Sequence, residues 1–184
     1  MNKSKKYRSE YMHTVATSLR LSEQVHGSGR LIAGDSWFAG VKNAIAHRRK
    51  GLHFIGDVKG GTAFFPKQVL KDWTPATHGH FITYEAKVEG FKLYACGVRR
   101  GHKKVRHIIS TCLTTLPSKK QTYVDWGVHG DDRRVVSHPR CEMDYEFTQS
   151  QPATDVHNKL RQKGLAMEKA WVCKQWEQRV FATA

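Results

Sequence analysis

The chain has 184 residues, with 31 Lys and Arg against 16 Asp and Glu, a formal charge of +15, and 39% hydrophobic residues including five Trp. That apolar content excludes a wholly disordered chain, and apolar runs such as the one around Leu52 to Ile55 fall far short of the ~18 residues of a bilayer-spanning helix. The surplus of positive charge points to a polyanion as partner, nucleic acid ahead of an anionic membrane surface.

In chain order, residues 1–13 read as a basic tail or a truncated end, without the apolar segment of a secretion signal. Order is expected from Thr14. Leu31-Ile32-Ala33-Gly34 follows the turn signal Gly27-Ser28-Gly29 and reads as a short buried strand, which places Asp35 at its C-terminal tip. Phe38, Val41, Ala44 and Ile45 recur at helical spacing, and Arg48-Arg49-Lys50 before Gly51 makes a last turn and stop, so a helix of about four turns is expected. Leu52 to Val58 reads as the next strand. Strand, helix and strand together predict a βαβ unit with a parallel pair, hence an α/β core. Phe81 to Lys87 and Phe91 to Val98 are β-prone around the hairpin signal Glu89-Gly90, and Val105 to Cys112 makes a third strand. The polar stretch from Pro117 to Arg140 reads as loop or insertion. After Pro152 the pattern turns helical, through Val156, Leu160, Leu165, Met167, Trp171, Trp176 and Val180, with Gly164 as a break or kink. Cys96, Cys112, Cys141 and Cys173 contain no Cys-x-x-Cys pair, so neither a zinc finger nor a dense disulfide framework is expected.

Asp35 is the strongest single candidate for chemistry. A carboxylate at a strand tip, held by the helix that follows, can ligate a hard divalent ion beside a phosphate. Capping of that helix is the simpler reading from spacing alone, and Ser36 could share it. Asp155, in Ala153-Thr154-Asp155-Val156-His157-Asn158, reads by itself as an acid favouring a helix N-terminus. His78, His80 and His129 lack metal-ligand spacing. Arg48, Arg49 and Lys50, then Arg99, Arg100, Lys103, Lys104 and Arg106, together with Lys119-Lys120 and Arg133-Arg134, are interleaved with Trp73, Tyr84, Tyr94 and Trp126. This is the composition of a surface that tracks a phosphate backbone.

Gly34-Asp35-Ser36-Trp37-Phe38-Ala39-Gly40, then Gly51 to Lys59, then Phe65-Pro66-Lys67, resemble the Asp-x-x-Phe-x-Ser, Gly-x-x-x-x-Gly-Thr-x-Arg/Lys and Pro block of piggyBac-like transposases. Ile108 to Cys112 is similar to that family's strand before its last catalytic segment, and Asp155-Val156-His157-Asn158 to its Val-Asp-x-x-Asp-Gln block. The resemblance implies a partial ribonuclease H-like catalytic core over 14–184, with a β-rich insertion at 74–140 and a helical segment at 152–183. It implies DDE/DDD chemistry, in which three aspartates hold two divalent ions, Mg²⁺ or Mn²⁺, with Asp35 as the second aspartate and Asp155 as the third. DNA is the implied partner, the nucleus the implied location, and a homo-oligomer fits. No membrane partner is expected.

The family's first aspartate has no counterpart here, since residues 1–34 contain Glu10 and Glu23 but no Asp. The expectation is therefore a truncated, inactive transposase-derived chain that still binds DNA. The alternative is a domesticated DNA-binding or chromatin-associated protein without catalysis. A third option is an active metal-dependent nuclease or transposase whose site is completed by Asp57 or by an acid from another chain.

Overall fold

The computed structural model describes residues 5–59, 61–77, 79–100, 104–113, 117–118, 123–126, 133–136 and 140–159. Helix α1 (His13–Leu21) and a short 3₁₀ turn (Glu23–Val25) precede strand β1 (Leu31–Gly34), and helix α2 (Val41–Arg49) leads into β2 (His53–Asp57). Then come helix α3 (Lys67–Trp73), strands β3 (Phe81–Val88), β4 (Phe91–Arg99) and β5 (Val105–Ser110), the paired strands β6 (Tyr123–Trp126) and β7 (Arg133–Val136), and helix α4 (Glu142–Lys159). The chain divides into two compact units, residues 1–147 and 148–184.

Five strands form one mixed sheet in the order β1-β2-β5-β4-β3. Strands β1 and β2 run parallel, from Leu31 opposite His53 to Gly34 opposite Gly56, with α2 as the crossover, as the βαβ reading expects. The other neighbours are antiparallel. Strands β3 and β4 turn at Glu89-Gly90, both at positive φ (52° and 82°), the conformation of a two-residue hairpin whose twist matches its strands.

Successive residues of β2 face opposite sides of the sheet. Phe54 joins Ala44, Ile45, Val58, Phe65, Leu70, Leu93 and Ile109 in one buried cluster. Ile55 joins Cys96, Val98, Ile108, Cys141, Met143 and Phe147 in another, where the first turns of α4 cover the sheet. Behind α2, Ala46 packs against Val15 and Leu19 of α1. The mixed α/β architecture read from the sequence is thus present.

Several boundaries differ from expectation. Helix α2 starts at Val41, so it has nine residues instead of about four turns. Phe38 belongs to a separate turn, because the Phe38 and Ala39 amides donate to the Asp35 carbonyl and Gly40 is fully extended. Strand β5 ends at Ser110, since Thr111 bends to hydrogen-bond the backbone of Phe54 through both its amide and its hydroxyl. Helix α4 starts at Glu142, and Pro152 lies inside it. Burial of Met143 and Phe147 fixes the first turns well before the proline. The stretch read as loop or insertion contains β6 and β7. Leu160, Gly164, Leu165, Met167, Trp171, Cys173, Trp176 and Val180 lie outside the described residues.

His47, on α2, is fully buried. Its Nδ1 donates to the Asn43 carbonyl at 2.9 Å, which leaves Nε2 as the acceptor facing the Ser18 and Ser22 hydroxyls at 3.4 Å. Burial pushes its pKa down against the opposing Asn43 bond, and His26 adds to the fall. The unfolded chain therefore binds a proton more readily than the fold does. The stability tied to a neutral His47 is complete above the ordinary histidine value of about 6.5 and is lost as pH falls toward the lower folded value. Thermal melts should show the midpoint dropping as pH falls below about 6.5, with a smaller drop in His47→Gln.

Candidate nucleic-acid and metal site at the tip of strand β1

The sequence Gly34-Asp35 ends β1, and Gly56-Asp57 ends β2 in register beside it. Both acids therefore stand at the C-terminal edge of neighbouring parallel strands, where open α/β sheets place their ligand sites. The two glycines permit close packing there. A Cβ on Gly34 would lie 2.6 Å from the Phe54 ring, and one on Gly56 would lie 2.8 Å from Ala39 Cβ and 2.9 Å from the Gly34 carbonyl.

Asp35 is exposed, and its Oδ1 accepts the amides of Trp37 at 2.9 Å and Phe38 at 3.3 Å. The capping geometry weighed from the sequence is present, although it caps the turn at 36–38 rather than α2 itself. Asp57 is half-buried, and Arg106 Nε approaches it at 3.4 Å. His107 is buried beside this edge, where burial and then Lys67 push its pKa down.

Arg106 also reaches a carboxylate that the sequence reading did not single out. Asp144, in the first turn of α4, is fully buried. It accepts from Arg100 Nη2 at 2.7 and 2.9 Å, Arg106 Nη1 at 3.2 Å and Arg140 Nε at 2.8 Å. The Arg106 guanidinium lies 4.7 Å from the centre of the Phe147 ring. Two arginines of the expected basic surface, Arg100 and Arg106, are thus ion-paired to a buried acid. The available signal was weak, an Asp two residues after the helix-starting Glu142.

The other expected cations are spread over the first unit. Arg48 donates to the Leu52 carbonyl at 3.3 Å and meets the His53 ring nitrogens at 3.1 and 3.2 Å, where burial and then Arg48 push the His53 pKa down. Arg49 pairs with Glu89 at 2.6 Å, both exposed, and Lys50 lies 5.1 Å from the Tyr7 ring centre. Arg99 donates to the carbonyls of Thr74 at 2.6 Å and Pro75 at 2.9 Å. Lys104 is exposed. Arg133 and Arg134 lie on β7. Lys103, Lys119, Lys120, His78 and His129 fall outside the described residues. Asp155 lies on α4, in the 148–184 unit.

Among the described residues no group of three or more His, Cys, Asp or Glu is placed to hold a metal ion. At the β1–β2 edge Asp35 Oδ1 is taken by two amides and Asp57 faces Arg106, so the acids here leave one or two carboxylate oxygens for a divalent ion, the number Mg²⁺ commonly takes from protein beside substrate phosphates and water. Among the described residues, too, no helix is long and apolar enough to cross a membrane.

The profile of the Transposase IS4 family matches residues 1–184, and the chain belongs to that family. Among solved structures it is similar to a piggyBac transposase, seen by cryo-EM in a synaptic complex with hairpin DNA, with a TM-score of 0.55 and 18% identity. The match covers 84% of this chain and 29% of that one, so the chain spans under a third of that transposase's length. No curated protein matches. Family and fold both agree with the piggyBac-like resemblance read from the sequence.

Proposed function

We propose that this chain is part of a piggyBac-like transposase core that binds DNA through its positive surface and works in the nucleus. Asp35 and, by the sequence resemblance, Asp155 are its carboxylates for Mg²⁺ or Mn²⁺. The observation that carries the reading is Asp35 at the C-terminal tip of β1, inside a parallel βαβ unit of a chain in this family. Residues 1–184 alone do not turn over. Two carboxylates are few for two divalent ions, and Asp57 is drawn toward Arg106. Action by more than one copy on paired DNA ends fits the same reading. Domesticated DNA binding without catalysis is the second reading, favoured by that ion pair.

The test incubates residues 1–184 with nicked and intact duplex DNA and Mn²⁺. The expected result is bound, uncut DNA. Cleavage that disappears in both Asp35→Ala and Asp57→Ala would overturn the inactive reading and make Asp57 the missing ligand.

A further inference from the structure

Phe64 and Phe65 are consecutive, and the fold treats them in opposite ways. Phe65 is 8% exposed, belongs to the core cluster of Phe54 and Leu70, and meets the His107 ring edge-on at 6.3 Å. Phe64 is 77% exposed, and its φ of 65° lies in the left-handed region that a bulky side chain rarely adopts. The loop before it is wound by Gly61 at φ 81° and by the Thr62 hydroxyl donating to the Lys59 carbonyl at 3.0 Å. After it, the Lys67 amide donates to the Phe65 carbonyl at 2.8 Å and α3 begins. With Phe65 anchored inside, Phe64 is held out in water.

This loop meets the chain at Gly40 and Lys42, just beyond the turn that Asp35 caps. A Cβ on Gly40 would lie 3.5 Å from Thr62 Cγ2, and Lys42, at the start of α2, brings Nζ to 5.6 Å from the Phe64 ring centre. Trp37, in that turn and two residues beyond Asp35, is 59% exposed. Lys42, Lys59 and Lys71 are exposed, and Lys67 is half-buried. Phe64 and Trp37 are thus exposed aromatics on the two segments, with Lys59 on the loop of Phe64, Lys42 at the start of α2 and Lys67 and Lys71 on α3.

We propose that Phe64, together with Trp37, forms a stacking platform for unpaired nucleotides, with Lys42 and Lys59 taking the flanking phosphates. The proposal rests on the DNA-binding reading above and adds the form of DNA that this edge engages. A ring held outward beside a cation suits a partner with an apolar face and an anionic edge, and an unpaired nucleotide has both. In a duplex the base faces are already stacked on one another, so the platform discriminates by strandedness and tolerates sequence.

The test measures fluorescence anisotropy of labelled single-stranded and duplex oligonucleotides of equal length with the full chain. Phe64→Ala should lose about tenfold in single-strand affinity. Its duplex affinity should be unchanged, Phe64→Tyr should keep wild-type binding, and the thermal midpoint should not move. Single-strand affinity indifferent to Phe64→Ala, or an equal loss for both forms, would overturn the platform while leaving DNA binding intact. Failure of the wild type to bind either form would overturn both readings. A change in self-association of Phe64→Ala, read by light scattering with single-strand affinity intact, would assign the patch to a second copy and overturn the proposal.

Discussion

Replacing Asp144 with asparagine is expected to cost about 3–5 kcal/mol of stability, read as a lower urea midpoint. The carboxylate is fully buried, and Arg100, Arg106 and Arg140 all donate to it. Asparagine keeps the shape but removes the negative charge those guanidiniums share, so partly buried positive charges are left close together without their counter-ion. These residues come from the end of β4, from β5 and from the approach to α4, so the loss should loosen the seating of the first turns of α4 on the sheet. The exposed Arg49 pair offers the contrast, since solvent screens it and Glu89→Ala should move the urea midpoint far less. Equal losses at the two sites would show that the Asp144 cluster is no more than a surface ion pair.

Phe54→Ala should cost about 3–5 kcal/mol by the same measurement. The ring is fully buried in the cluster of Ala44, Ile45 and Leu70, and its centroid lies 5.1 Å from that of His47. It also forms the floor beneath the β1 tip, occupying the space a side chain at Gly34 would need. Removing it leaves a cavity under the turn that presents Asp35, whereas Asp35→Ala removes only a cap, worth about 1 kcal/mol. A larger loss from Asp35→Ala than from Phe54→Ala would mean that Asp35 serves the fold rather than a ligand.

The βαβ unit was legible because short-range signals agreed: an apolar run, helical spacing, then a second apolar run between glycines. The Glu89-Gly90 hairpin was legible for a similar reason, a turn signal between two β-prone stretches. Helix α1 offered no sharp signal, since its buried face is Val15, Ala16, Ser18 and Leu19, in which a serine interrupts the apolar stripe. Helix α3 has seven residues, of which Leu70 is buried, too little for a period to show. The start of α4 was misread because Pro152 looked like a boundary, while the determinant was long-range burial of Met143 and Phe147 against β4 and β5. At the site, Asp35 was legible from its strand and from the motif around it. Asp144 was not, because its partners Arg100 and Arg106 lie 44 and 38 residues away along the chain. The exposed Phe64 was hidden for a related reason, as nothing local says which of two adjacent phenylalanines enters the core.

Whether this chain holds DNA through its positive surface is decided by duplex binding measured across a salt series. The chain carries a net charge of +15, and among the described residues Lys42, Lys59, Lys71 and Lys104 are exposed. If this surface neutralises six or more phosphates, counter-ion release should lower duplex affinity about 10³-fold between 50 and 200 mM salt, with a linear log–log slope. That steep, sequence-independent decline is the result expected of a transposase core that holds DNA by its backbone. An affinity unchanged across the same interval would contradict it.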